Sequence, residues 1–246
     1  MSKNIGVIGA GAWGTAMAQA LARTGHIVEV WAMEQEVVDS INNEHENKKF
    51  LSGFKLSENL TASTDIKKVA SNKEFLILAS PSLYLAKTAQ QLVDVPSIAD
   101  GSTCIGVLAK GFIPSNDGPK LILDTLEEVL PPSYKKSLVY IAGPSHAEEV
   151  AMGKLTGLIA ASENPKNSIR FREVMKGPGL MVYSSLDVIG VQICAAAKNV
   201  IAVVYGCLDA VAEDSELFGD NTESFLLAAG LNEIQTLGFA MGATHP

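Results

Sequence analysis

Two lysines and a glycine-rich loop carry the clearest chemical signals in this chain. Lys198 stands near the middle of an otherwise apolar stretch, Val188 to Ala212, whose other strongly polar residues are Gln192, Asn199 and Asp209. A buried ammonium is costly, so its pKa should fall unless it is paired, and a lysine of lowered pKa exchanges protons readily near neutrality. Apolar residues at the helical neighbours 194, 195, 201 and 202 favour burial, while a lysine snorkelling from the edge of the helix is the alternative. Lys110, in Val107-Leu108-Ala109-Lys110-Gly111, closes a strand-like run. It either faces a ligand at that strand end or is a solvated loop lysine.

The loop Gly9-Ala10-Gly11-Ala12-Trp13-Gly14 lies between a strand-like run and a helical one that starts at Thr15. Gly9 permits a tight turn, Gly11 lets a pyrophosphate approach bare backbone, and Gly14 allows close packing of helix on strand. The phosphates would meet free N–H groups at a helix N-terminus. A glycine-rich turn without a ligand is the plain alternative, but the strand–loop–helix context predicts a dinucleotide. About 20 residues beyond the last glycine a carboxylate is expected to take the ribose hydroxyls, and Glu34 stands there. It would repel a 2′-phosphate, and no arginine lies within ten residues of it, so NAD is favoured over NADP. The other role open to Glu34 is to complement the next helix N-terminus. Gly143-Pro144-Ser145-His146-Ala147-Glu148-Glu149 also follows a strand and suits a helix entry. His146 could serve there as a general acid or merely in capping. Ser80-Pro81-Ser82 shares the strand-end position with a weaker signal.

These groups need a scaffold, and the alternation of apolar runs supplies one. Strands are predicted at Ile5–Gly9, Ile27–Trp31, Glu74–Ala79, Thr103–Ala109, Leu138–Ala142, Leu155–Ala161 and Met181–Tyr183, with helices at Thr15–Thr24, Leu83–Val93 and Pro119–Leu130 between them. This specifies an α/β fold with a doubly wound, mostly parallel, Rossmann-like sheet, whose ligands sit beyond the carboxyl ends of the strands. After Ser185 the pattern is helical only: the apolar helix, an acidic connection Glu213–Asp220, and a helix from about Thr222 to Met241. The division expected is 1–184 for a dinucleotide-binding domain and 185–246 for the start of a helical substrate domain.

Composition narrows the function classes. The 246 residues are 47% hydrophobic and 19% charged, enough for a large core. A net charge of -8 opposes nucleic acid and anionic membrane surfaces, so an anionic ligand must be held by local groups. Cys104, Cys194 and Cys207 are odd in number and lack C-x-x-C spacing, which predicts neither a disulfide framework nor a metal site and suits the cytoplasm. The first residues, Met1 to Ile8, lack the apolar length and cleavage site of a secretory signal, so no targeting segment is expected there. Val188–Ala212 is long enough to span a bilayer, but Lys198 at its centre would cost about 2.5–3.5 kcal/mol, so a buried helix of a soluble protein is predicted instead.

Taken together, Gly9-Ala10-Gly11-Ala12-Trp13-Gly14-Thr15-Ala16, Ala109-Lys110-Gly111, Gly143-Pro144-Ser145-His146-Ala147-Glu148-Glu149, Asp187-Val188-Ile189-Gly190-Val191 and Ala197-Lys198-Asn199-Val200-Ile201-Ala202 resemble the bacterial type of NAD(P)-dependent glycerol-3-phosphate dehydrogenase. Their order and spacing match over essentially the whole chain. The resemblance implies reversible hydride transfer between NAD(P)H and dihydroxyacetone phosphate, giving sn-glycerol 3-phosphate for phospholipid synthesis, by a cytoplasmic enzyme with a small phosphate substrate; a homodimer is left open. It makes Lys198 the proton donor and acceptor for the oxygen at C2, with Asn199 beside it, and Lys110 a residue touching both cofactor and substrate. Gly143 and Ser145 become substrate contacts, and Trp13, Phe50 and Ala147 cofactor contacts.

The chain departs from the family in three places. Met33 stands where members often carry arginine or histidine before the acidic residue, which removes a partner for a 2′-phosphate. After Asn221-Thr222, Glu223 and Leu226-Leu227-Ala228-Ala229 replace the usual pattern. The Gly-x-Gly-Asp-Leu and Ser-Arg-Asn segments, which supply an aspartate and the phosphate-binding arginine, are absent, so an incomplete enzyme with poor turnover and exposed apolar surface is expected. Two other functions fit the same motifs: a related two-domain dehydrogenase of a 3-hydroxy acid, and a non-catalytic dinucleotide-binding module.

Overall fold

A computed structural model describes residues 1–116, 118–213, 215 and 217–244; Asp214 and Glu216 of the acidic connection and His245 and Pro246 lie outside the described residues. The elements run β1 (Asn4–Ile8), α1 (Ala12–Arg23), β2 (Ile27–Trp31), α2 (Gln35–Asp39) continued by a π-helical turn at Ser40–Glu44, β3 (Leu60–Ser63), α3 (Ile66–Ala70), β4 (Phe75–Leu78), α4 (Ser82–Gln90) and α5 (Pro96–Ala99). They continue with β5 (Cys104–Val107), α6 (Ile122–Val129), β6 (Val139–Ala142), α7 (Ala147–Met152), β7 (Thr156–Ala161), α8 (Pro165–Met175), β8 (Leu180–Ser185), α9 (Val188–Ala212) and α10 (Asp220–Ala240).

The strands form one eight-stranded sheet in the order β3-β2-β1-β4-β5-β6-β7-β8. All neighbours pair in parallel except β6 with β7, which are antiparallel in the register Tyr140↔Ala161 and Ala142↔Ile159. The sheet is therefore mostly parallel and doubly wound as expected, with its topological switch between β1 and β4.

Period-two alternation sends each strand's side chains to two cores. Phe75 and Ile77 join Ile5, Val7, Val139 and Ile141 against α1, α2, α7 and α8. Leu76 and Leu78 join Ile105, Val107 and Tyr140 against α3, α4 and α6. In the first core Phe171 of α8 meets Phe75 edge to face, ring centroids 5.2 Å apart. Both faces of the central strands β1, β4, β5 and β6 are covered, so these read as continuous apolar runs, whereas β8, with Met181 and Tyr183 exposed, keeps the alternation.

Every predicted strand is present to within two residues, and the sequence reading passed over β3, α2, α3, α5 and α8. Helix α9 has the predicted bounds but not the predicted burial. Gly190, Gln192, Ile193 and Ala195 are buried, while Val200, Val203, Val204 and Val211 are exposed. Only 17% of its most apolar window is covered by the rest of the chain. The apolar surface expected on the helical part is there, on α9 and on Phe225, Leu231 and Phe239 of α10. The two helices cross closely at Gly230, where a Cβ would come within 2.6 Å of Ile201.

Candidate active site

The carboxyl ends of β1, β4, β5 and β6 open onto a cleft of about 390 Å³ lined by Trp13, Ser80, Ser82, Lys110, Ser145 and Ala147, among others. Each comes from a segment that directly follows a strand: the glycine loop after β1, the Ser80-Pro81-Ser82 turn after β4, Lys110 after β5, and Ser145 and Ala147 after β6. The motifs picked out for their strand-end position thus share one space.

The glycine loop has the geometry its sequence predicts. Gly9 has φ +124°, open to glycine alone at low cost, and a Cβ there would press within 3.0 Å of the Ala79–Ser80 backbone. Gly14 lies against the turn so closely that a Cβ would fall 2.0 Å from the Gly9 carbonyl oxygen. Gly11 differs from both: it is extended at the N-cap of α1, and a Cβ there would meet nothing within 4 Å. One glycine makes the turn, one the packing, and one leaves a bare approach to the N–H groups that open α1. Trp13 borders the same space, and its buried indole N–H has no partner. An open backbone approach, free helix N–H groups and an orphaned indole donor fit an acceptor-rich dinucleotide.

Lys110 lies with its ammonium 5.6 Å from the centroid of the Trp13 ring. Burial holds its pKa below the ordinary lysine range, and the charge of Lys198 lowers it further. No carboxylate pairs with it among the described residues. The two lysines, far apart in sequence, are therefore close enough in space to repel. The burial expected of Lys198 is not found: it is half-buried, between exposed Cys194 and Asn199, because α9 faces solvent along most of its length.

The other predicted residues divide. Gly143 is required by packing, since a Cβ would lie 2.3 Å from the Gly157 carbonyl oxygen of β7. The Ser145 hydroxyl donates to the Gly143 carbonyl at 3.3 Å. His146 occupies the N-cap of α7 without capping it; its ring meets Glu148 at 2.9 Å with the side chain 82% exposed, away from any role as a general acid in the cleft. Glu34, at the N-cap of α2, likewise makes no side-chain cap. It lies apart from the lysine pair, half-exposed, with Lys49 at 3.4 Å. The same lysine bonds Glu36 at 2.5 Å and stands 5.5 Å from the centroid of the exposed Phe50 ring. Lys49 is distant from Glu34 along the chain, so no local pattern in the sequence points to the pair. Nor does one point to Asn47, which is fully buried, with its amide against the glycine loop.

Among the described residues further cavities lie elsewhere, two of them larger than 200 Å³. One of about 240 Å³ between α6 and the start of α9 is lined by Asp124, Glu127, Glu163 and Asp187, with Lys136. The other, about 470 Å³ and apolar, runs between α9 and α10. Neither touches the glycine loop. No group of three or more metal-ligating side chains occurs among the described residues.

Comparison with known proteins follows the same outline. Residues 4–168 match the family model of the NAD-dependent glycerol-3-phosphate dehydrogenase N-terminus, and residues 187–246 that of its C-terminus. Glycerol-3-phosphate dehydrogenase (NAD(P)+) of Treponema denticola is 57% identical over 252 residues, covering 100% of this chain and 71% of the relative. The enzyme of the same name from Treponema pallidum strain Nichols is 51% identical, over 99% of this chain and 71% of its own. The crystal structure of glycerol-3-phosphate dehydrogenase from Coxiella burnetii superposes with a TM-score of 0.85 at 28% identity, covering 99% of this chain and 70% of that one. With both halves of the family represented and the sheet order and glycine loop in place, the chain belongs to the NAD-dependent glycerol-3-phosphate dehydrogenases.

Proposed function

We propose that this protein is an oxidoreductase that reduces dihydroxyacetone phosphate with NAD(P)H to sn-glycerol 3-phosphate, reversibly, and so provides a phospholipid precursor. The observation that carries the site assignment is Lys110, which lines the glycine-loop cleft with its ammonium 5.6 Å from the Trp13 ring centroid and is repelled by the charge of Lys198, in a chain whose net charge is -8. Mutual repulsion between two cations is a cost to folding that an anionic ligand relieves.

In this reading Gly9 to Gly14 take the pyrophosphate, Trp13 and Ala147 border the nicotinamide half, and Glu34 and Phe50 receive the adenosine half. When bound, the reduced nicotinamide supplies the hydride that goes to C2 of the substrate. Negative charge then develops on the C2 oxygen. Lys198 gives that oxygen its proton, and takes it back in the reverse direction, with Asn199 beside it. Lys110 stabilises the developing charge, at greater strength than water would allow because the lysine is partly desolvated. Gly143 and Ser145 border the substrate. NAD is preferred because Glu34 accepts ribose hydroxyls and repels a 2′-phosphate, while Lys49 beside it moderates that repulsion and leaves NADP usable.

Residues 1–184 form the dinucleotide-binding part and 185–246 belong to the helical substrate part. The exposed apolar faces of α9 and α10 suit a protein interface better than lipid, since Lys198, Asn199 and Asp209 all lie within the apolar stretch. A cytoplasmic location follows from this reading.

The test is the fall in NADH absorbance when dihydroxyacetone phosphate is added to the purified protein, with sn-glycerol 3-phosphate identified as product. Oxidation of NADH by a 3-oxo acid in its place would assign a different substrate. NADH binding with no oxidation by either would leave a binding module.

A further inference from the structure

Asn47 lies in the segment between the π-helical turn after α2 and β3, and its side chain is fully buried. Its Nδ2 donates to the Ala10 carbonyl at 2.8 Å and to the Thr15 hydroxyl at 2.9 Å. The Thr15 hydroxyl, also fully buried, donates to the same Ala10 carbonyl at 3.1 Å. A closed triangle results, in which the Ala10 oxygen accepts twice. On its other side the Asn47 Oδ1 accepts the N–H of Phe50 at 3.1 Å. Donor and acceptor ends of the amide are thus distinguished by their partners.

The consequence lies at the other end of the same peptide unit. In a trans peptide the C=O and N–H point in opposite directions, and the chain has no cis bonds. Pinning the Ala10 carbonyl against the buried Asn47 and Thr15 side chains fixes the Gly11 N–H on the opposite side, away from them, at a residue where an added Cβ would meet nothing within 4 Å. That is the open approach assigned above to the pyrophosphate. A glycine-flanked peptide is free to rotate otherwise, and a rotated one would present a carbonyl oxygen to the phosphates. Through Phe50 the same side chain ties the adenosine-side segment to the loop.

We infer that Asn47 is the positioning residue of the cofactor site, holding the Ala10–Gly11 peptide so that its N–H faces the pyrophosphate and acting through Thr15. This rests on the cofactor site proposed above. It assigns Asn47 no contact with substrate.

The experiment measures NADH dissociation constants and melting temperatures for the full chain and three variants. Asn47→Ala should weaken NADH binding about tenfold or more, the worth of one charge-assisted hydrogen bond. Thr15→Val, which keeps the shape and loses the hydroxyl, should weaken it about threefold or more, while Thr15→Ser retains the hydroxyl and wild-type affinity. A purely structural role predicts lower melting temperatures with unchanged NADH affinity in the folded protein, and that result in the Asn47 or Thr15→Val variant overturns the inference. If Asn47→Ala does not fold, the Val and Ser variants at Thr15 decide between the two outcomes. A wild-type chain that binds no NADH overturns the cofactor site itself and this inference with it.

Discussion

Replacing Gly11 with alanine separates the fold from the cofactor site. Gly11 sits at φ -64° and ψ 173°, a conformation any residue adopts, and the added methyl meets no protein atom within 4 Å. The fold should accept it, with a gain of about 0.4–1 kcal/mol from the lower freedom of the unfolded chain. The methyl would instead stand in the approach of the pyrophosphate to the helix N–H groups. Loss of one such charge-assisted hydrogen bond costs about 1.5–3 kcal/mol, or roughly 10- to 150-fold in dissociation constant. Gly14→Ala is the contrasting case, because its methyl would lie 2.0 Å from the Gly9 carbonyl oxygen and must displace backbone. It should lower the melting temperature markedly. NADH titration by fluorescence beside thermal melts measures both quantities. An NADH dissociation constant for Gly11→Ala within twofold of wild type would refute the placement of the phosphates.

Lys198→Met, of similar length and uncharged, should lower kcat by on the order of 10²–10⁴ with NADH affinity nearly intact, and retention of more than a tenth of kcat would remove Lys198 from proton transfer. Lys110→Met should stabilise the protein near neutral pH, because the fold disfavours this ammonium. The unfolded chain binds the extra proton between the lowered pKa of Lys110 and 10.5, so wild-type stability rises with pH across that window and the gap to the variant closes there. Denaturant titrations from neutral to alkaline pH measure it; a gap that widens with pH contradicts the burial of a cation. Glu34→Ala should narrow the preference for NADH over NADPH by about tenfold in calorimetric titrations, and equal wild-type affinities for the two would dismiss Glu34 as the discriminating group.

What could be read ahead of the structure depended on the range of the signal. The alternation of apolar runs placed the parallel strands because burial on both faces leaves a local mark. It did not disclose β3, whose Leu60-Thr61-Ala62-Ser63 is short and half polar at the sheet edge, nor α8, whose first turn is Pro165-Lys166-Asn167-Ser168. The direction of β7 left no trace, since pairing sense is not written in composition. Lys110 and Lys198 were each legible from their own surroundings, but their proximity is a product of the fold, and it adds to the burial that lowers the pKa of Lys110. Lys49 reaches Glu34 only because the chain doubles back after the π-helical turn, through His45 at φ 53°. Apolar composition in α9 predicts burial, yet within this chain most of the helix beyond Ala195 is exposed or half-exposed.

The reversal between β6 and β7 sets a gauge for Lys198, the lysine proposed for proton transfer. Because β7 and β8 run against the other strands, Ser185 leaves the sheet beside Ala161, level with Tyr140 near the start of β6 and remote from the edge where Lys110 stands. Helix α9 must climb the full depth of the sheet to return. Ten positions separate Val188 from Lys198, which at about 1.5 Å each makes roughly 15 Å, close to the height of a strand of four or five residues. The lysine thus sits nearly three turns into its helix because that is the height of the climb. A single residue inserted between Val188 and Lys198 would raise the ammonium by about 1.5 Å and swing it by roughly 100° around the helix, away from Lys110, while leaving every strand in register. This span of helix is therefore intolerant of length change for a reason unrelated to packing, and one that no count of buried contacts along α9 would reveal.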